Sequence, residues 1–261
     1  MMIHINETDG LFYIEDIPME MLTILSEKYQ VNKPFPHLVL DNFFPIKFLD
    51  KVLENFPKKE NAFVNHKSST QYLKKGYRPH ELLNNPCAHY LSVLNSAKML
   101  QFLENLTDIS GLIPDPYYTG GGLHETLNGG FLDIHVDFSL NKKLNLARRL
   151  NMIIFLNKDW KPEYGGNLEL WDSEMKEKVV EIEPLYNRCV IFNTDEFSYH
   201  GQPQTVVCPP NISRRSIALY YYTSKESIKY LTEETKWKSK VEKSTLLSKF
   251  LKGIKPLLKK K

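Results

Sequence analysis

His135, Val136 and Asp137 close an alternating run, Phe131 to Phe138, in which Asp133, His135 and Asp137 interleave with Leu132, Ile134, Val136 and Phe138. Successive side chains of a strand point to opposite faces, so an imidazole and a carboxylate two residues apart lean from one surface. That pair can fill two neighbouring coordination positions of one metal ion. By itself the motif is weak, because an edge strand with a solvated polar face reads the same way. A third ligand must come from elsewhere. Of the eight histidines, His200 stands apart, since it follows the buried-strand pattern Arg188 to Asn193 after a short polar turn. Two histidines and one carboxylate on one face of a metal leave the remaining positions open, the arrangement of non-haem Fe(II) oxygenases.

An oxygenase that consumes a dicarboxylate needs a basic anchor deep in an apolar cup. Arg214-Arg215-Ser216 opens an apolar run that continues to Tyr222. Arginine's planar fork binds a carboxylate through two parallel hydrogen bonds, and a serine two residues on faces the same way. The alternation selects Arg214 with Ser216 over Arg215, whose corresponding neighbour is Ile217.

Elements must bring these residues together. After Pro114 and Pro116 short apolar runs alternate with turns: 131–138, 150–156, 167–171, 178–182, 188–192 and 216–223, punctuated by Gly165-Gly166 and Pro209-Pro210-Asn211. Short strands at regular spacing without intervening helices predict a sandwich or jelly-roll barrel. Before them, helices are expected around 19–29, 45–56 and 95–106, with a strand at 35–44. Residues 57–80, rich in Lys, Asn and Ser, read as a loop or lid. The segment 141–149 carries four cations and is expected at the barrel mouth, facing an anionic or extended polar substrate or simply solvent.

The chain is 261 residues long and 42% hydrophobic, enough for a sizeable core in one elaborated domain. Cys87, Cys189 and Cys208 are odd in number and widely spaced, which argues against a disulfide framework or zinc knuckle and for a reducing compartment, read as the cytoplasm. No secretory leader is expected from Met1 to Asp9, and no apolar run is long enough to span a membrane. Residues 225–261 hold twelve lysines against four glutamates, so the rest of the chain is net negative and a poor nucleic-acid surface. In that basic tail an apolar stripe from Leu246 to Leu258 reads as a helix packed on the body, or as a surface for a membrane or partner.

His135-Val136-Asp137, the distal His200 and Arg214-x-Ser216 together resemble the signature of the prolyl 4-hydroxylase-like Fe(II)/2-oxoglutarate-dependent oxygenases. Leu150 to Trp160 followed by Gly165 to Leu170 is similar to that group, as is Pro34-Phe35-Pro36-His37. The resemblance covers roughly 34–56 and 118–223. It implies a β-rich α+β fold, a double-stranded β-helix (jelly-roll) at 116–224 with an N-terminal mixed helical and strand support at 1–115, to which composition adds the basic helical tail at 225–261. It also implies Fe(II) held by His135, Asp137 and His200, with 2-oxoglutarate anchored by Arg214 and Ser216. Some members carry a co-substrate-binding tyrosine where this chain has Phe155; Asn151 and Tyr220 are the candidate polar contacts in its place.

The activity so implied is a dioxygenase that hydroxylates a C–H bond of a peptidyl proline or another polar substrate, releasing succinate and carbon dioxide. Dioxygen is the second co-substrate and L-ascorbate an accessory. A non-catalytic metal-binding sensor on the same fold is the alternative, against which the intact Arg214 and Ser216 argue. A zinc hydrolase would need an HExxH helix that is absent, and a cupin would show His-x-His where Asp137 stands.

Overall fold

The computed structural model describes residues 2–18, 20–78, 81, 84–225, 232 and 234–237. The chain opens with a hairpin, β1 (His4–Thr8) and β2 (Leu11–Asp16), and a helix, α1 (Leu22–Val31). There follow β3 (His37–Asp41), α2 (Ile46–Glu54), the hairpin β4 (Val64–Lys67) and β5 (Gln71–Tyr77), then α3 (Cys87–Val93) and α4 (Ala97–Thr107). The remainder is strand: β6 (Ile113–Pro114), β7 (Gly122–Val136), β8 (Leu140–Asn141), β9 (Leu146–Phe155), β10 (Leu168–Trp171), β11 (Lys178–Ile182), β12 (Arg188–Asn193), β13 (His200–Gln202), β14 (Arg214–Ser224) and β15 (Lys236–Trp237).

These strands form one curled sheet with the order β11-β10-β13-β7-β14-β9-β12-β3, and every named pairing in it is antiparallel. This is the double-stranded β-helix expected from the sequence. Residues 57–80, expected as a loop, instead contain the β4–β5 hairpin, and β5 pairs along β7. A polar composition misleads there because β5 has one face on the cavity and needs no continuous apolar run. The helix α3 and the first hairpin were also not expected. Lys236–Trp237 is a short strand on β7 where helical composition was read. The apolar stripe from Leu246 onward lies outside the described residues.

Alternation divides the central strands between two cores. On β9, β12 and β14 the residues Leu150, Met152, Ile154, Cys189, Ile191, Ile217, Leu219 and Tyr221 join the helices in the main cluster. Their neighbours Phe155, Val190 and Phe192 face inward with Leu168, Leu170 and Phe35. Strands apolar on both faces are expected where a sheet is covered on one side and closed on the other. The support region is stitched to the sheet by polar contacts too. Asn187 accepts from the Phe44 amide at 3.0 Å and donates to the Phe44 carbonyl at 2.7 Å. No helix among the described residues is long and apolar enough to cross a membrane.

Candidate metal centre and co-substrate pocket

His135 stands on β7 and His200 on β13, and the two residues are directly paired in the sheet. Asp137 follows one step past the end of β7. One ligand atom from each of the three lies within 4.8 Å of the others. The imidazole rings are 4.6 Å apart between centroids. Each histidine makes the same second contact: Nδ1 of His135 lies 2.9 Å from the Asp133 carbonyl, and Nδ1 of His200 lies 2.9 Å from the Ser198 carbonyl. A carbonyl can only accept, so both Nδ1 atoms carry the proton and both Nε2 atoms present lone pairs. Those two Nε2 atoms sit 3.5 and 3.4 Å from the Asp137 carboxylate. Two lone pairs and an anion aimed at one point repel unless a cation lies between them, so the donor set fits a divalent metal.

Asp137 is held from behind. Arg148, whose side chain is wholly buried, donates from Nη2 to Oδ2 at 2.7 Å, and Asn151 donates from Nδ2 to the same oxygen at 3.0 Å. Asn151 in turn accepts from Arg148 at 2.7 Å. Burial works to raise the Asp137 pKa, but the Arg148 guanidinium outweighs it and holds the carboxyl well below its ordinary range. Burial lowers His135. Both effects favour the ligating forms, carboxylate and neutral imidazole.

The site opens into a cavity of about 200 Å³ that Arg148, Asn151, Arg214, Ser216 and Tyr220 also line. Alternation along β14 turns Arg214, Ser216, Ala218 and Tyr220 to this side. Arg214 is buried; its Nε donates to the Gly166 carbonyl at 2.6 Å, and its Cζ lies 4.9 Å from the Phe155 ring centroid. Burial pulls its pKa down to about 10, so it remains a cation at neutral pH. Arg215 points elsewhere, to the buried Glu125 at 3.3 Å. Tyr220 donates to the Gly120 carbonyl at 2.8 Å and lays its ring 3.4 Å from the Arg148 guanidinium.

Three residues that the sequence reading passed over also belong to the site. Arg148 was grouped with the mouth cations, yet it is the most enclosed of them, while Lys142 and Lys143 are exposed. Trp237 stacks on the His135 ring with centroids 4.9 Å apart. Lys74, on the unforeseen hairpin, faces the same cavity. No periodic pattern marks any of the three.

Residues 121–222 match the family model of the 2OG-Fe(II) oxygenase superfamily. Over 92 residues the chain is 31% identical to Egl nine homolog 1 of Rattus norvegicus, a stretch that covers 34% of this chain and 26% of the rat protein. The chain thus matches about a quarter of that relative's length. A prolyl hydroxylase of Trichoplax adhaerens, solved with a hypoxia-inducible-factor oxygen-degradation-domain peptide, superposes with a TM-score of 0.58 at 17% identity, covering 80% of this chain and 93% of that one. A Pseudomonas putida prolyl-4-hydroxylase gives 0.53 at 15% identity, covering 78% and 99%. The fold is therefore that of these solved prolyl hydroxylases, and the segment 121–222, which carries the candidate metal ligands, matches the 2OG-Fe(II) oxygenase family model.

Proposed function

We propose that this chain, whose barrel matches the 2OG-Fe(II) oxygenases, is an Fe(II)- and 2-oxoglutarate-dependent dioxygenase that hydroxylates a C–H bond of a small-molecule or peptide substrate. The carrying observation is the pair of Nε2 lone pairs and the Asp137 carboxylate converging on one point beside a buried cationic cavity. His135, Asp137 and His200 would hold the iron. Bound together, ferrous iron, 2-oxoglutarate and dioxygen supply oxidative decarboxylation to succinate and carbon dioxide, with one oxygen atom entering the substrate.

The chain's own residues do the positioning. Arg214 and Ser216 bind the distal carboxylate of 2-oxoglutarate, Arg214 being fixed by Gly166 and Phe155 so that little rotamer freedom is lost. Arg148 and Asn151 orient the Asp137 carboxylate, so that one oxygen is committed to them. Asn151 is thus a positioning residue, and Tyr220 buttresses Arg148. Trp237 covers His135 and keeps water from that side. The free, buried cysteines suit a reducing compartment such as the cytoplasm, with L-ascorbate as the reductant that keeps iron ferrous.

The test is anaerobic loading with Fe(II) and 2-oxoglutarate, then exposure to oxygen with succinate as the readout. We expect succinate from the native chain, none from His135→Ala at retained fold, and a loss of 2-oxoglutarate affinity in Arg214→Met that Arg214→Lys partly restores. A native protein that binds divalent metal but not 2-oxoglutarate would refute the proposal. Mass spectrometry of candidate substrates should then show the gain of one oxygen atom.

A further inference from the structure

Lys74 reaches the cavity because β5 is irregular. The β5–β7 register shifts between Tyr72 and Lys74, and Leu73 takes a φ of 49°. A leucine in the left-handed region is strained, and such strain is held where the surrounding structure fixes it. Its effect here is to turn Gln71 and Lys74, which strict alternation would place on opposite faces, toward the same cavity. The sheet register then lays His66, Lys74, Thr126 and Arg214 in one row across β4, β5, β7 and β14. All four line the cavity.

The row holds two cations, Lys74 and Arg214, that face different neighbours. Arg214 leans toward Phe155 on β9, away from β5. Lys74 borders, besides the main cavity, an adjoining chamber of about 110 Å³ walled also by Phe63, His66, Arg78 and His124. Among the described residues no acidic side chain lines that chamber, and Asp137, already paired with Arg148, is the single acid lining the main cavity. Among the described residues no carboxylate lies within ion-pair distance of Lys74. Arg78, by contrast, is 3.5 Å from Glu81 and stacked on Phe63. One enclosed ammonium with no carboxylate at ion-pair distance among the described residues is costly by itself and matches one monoanionic group of a ligand.

We propose that this chamber is the acceptor subsite and that the hydroxyl acceptor bears a carboxylate, which Lys74 binds while Arg214 holds the co-substrate. The inference rests on the oxygenase reading and names its substrate class. Burial draws the Lys74 ammonium down to about 8, so it is charged at neutral pH.

The experiment is calorimetric, on the full chain loaded with redox-inert Zn(II) and 2-oxoglutarate. A panel of short-chain carboxylic acids is titrated, each beside its primary amide, with L-proline and L-prolinamide among them. At least one acid should bind about tenfold or more tightly than its amide, the difference expected of one charge-assisted hydrogen bond. Lys74→Met should erase that preference, Lys74→Arg should keep it, and neither should move 2-oxoglutarate affinity by more than about twofold. The proposal is overturned if no acid outbinds its amide, if the preference survives in Lys74→Met, or if Lys74→Met weakens 2-oxoglutarate as much as the acids. Failure of the native chain to bind 2-oxoglutarate would instead overturn the oxygenase reading beneath it. Thermal melts of both variants separate loss of the contact from loss of the fold.

Discussion

Arg148 and Arg149 are identical letters with opposite fates. Arg148 is enclosed against Asp137, Asn151 and the Tyr220 ring, whereas Arg149 is half-buried with one long contact to Thr223 at 3.4 Å. Counting inward positions back from Asn151 by twos would choose Arg149. The β9–β14 register, however, skips that residue: Tyr221 pairs with Leu150 and Tyr222 with Arg148. The resulting bulge reverses the phase and sends Arg148 inside. Removing the guanidinium would leave a buried carboxylate beside two lone pairs. Arg148→Met should therefore cost about 3–5 kcal/mol of stability without metal, read by urea unfolding. It should also lower Zn(II) affinity about ten- to hundredfold, the usual effect of losing a partner that orients a ligand. Arg149→Met should do neither. Equal effects from the two variants would mean that Arg148 is only packing.

At the scale of elements, β7 shows what a sequence pattern can and cannot reveal. Only its second half was legible: alternation placed His135 and Asp137 together, while the distal His200, on β13, came from the strand pattern before it. Arg214 with Ser216 followed from the same period of two. What alternation cannot give is a change of phase. His124 and Thr126 line the cavity from even positions, and His135 and Asp137 from odd ones. The switch falls between Leu132, which also lines the cavity, and His135, where the β7–β13 register shifts. Leu73 and Arg149 mark two further switches, and so Lys74 and Arg148 were missed. The hairpin that carries Lys74 was misread for a related reason, since a strand facing a polar cavity lacks the apolar run that marks strands.

The β13–β7 contact gives this scale its own prediction. His200 reaches His135 because Gly201 lies against β7: a Cβ there would meet the Asp133 carbonyl oxygen at 2.7 Å and the Ile134 Cα at 3.0 Å. Both are backbone atoms that cannot rotate away. Gly201→Ala should push β13 off β7 and separate the two imidazoles. We expect Zn(II) affinity to fall by about tenfold or more while most stability is retained, since overpacking of this size costs about 1–3 kcal/mol. Unchanged metal affinity at a native melting temperature would show that the two histidines tolerate a shifted register.

For the whole molecule the question is whether support and barrel are separate bodies. All the α-helices among the described residues lie between 22 and 107, yet their apolar faces share one cluster with the outer faces of β9, β12 and β14. Along the sheet, β3 pairs with β12 over five residues, Arg188 with Asp41 through Leu38 with Ile191 to His37 with Phe192. Asn187 fixes both backbone groups of Phe44 from the barrel side. Among the described residues the two regions share one buried apolar cluster, so neither can open without exposing the other's core. Among the described residues, helical circular dichroism reports 22–107, whereas the three tryptophans, Trp160, Trp171 and Trp237, report the barrel and its cover. The two probes should trace one coincident urea transition. Asn187→Ala, which strands two buried backbone groups, should shift both probes together by about 1–3 kcal/mol. Zn(II), bound wholly within the barrel, should raise the midpoint of the helical signal by as much as that of the fluorescence. A helical transition that precedes the fluorescence change and ignores the metal would show two bodies joined only by a strand edge, with a site that the N-terminal region does not support.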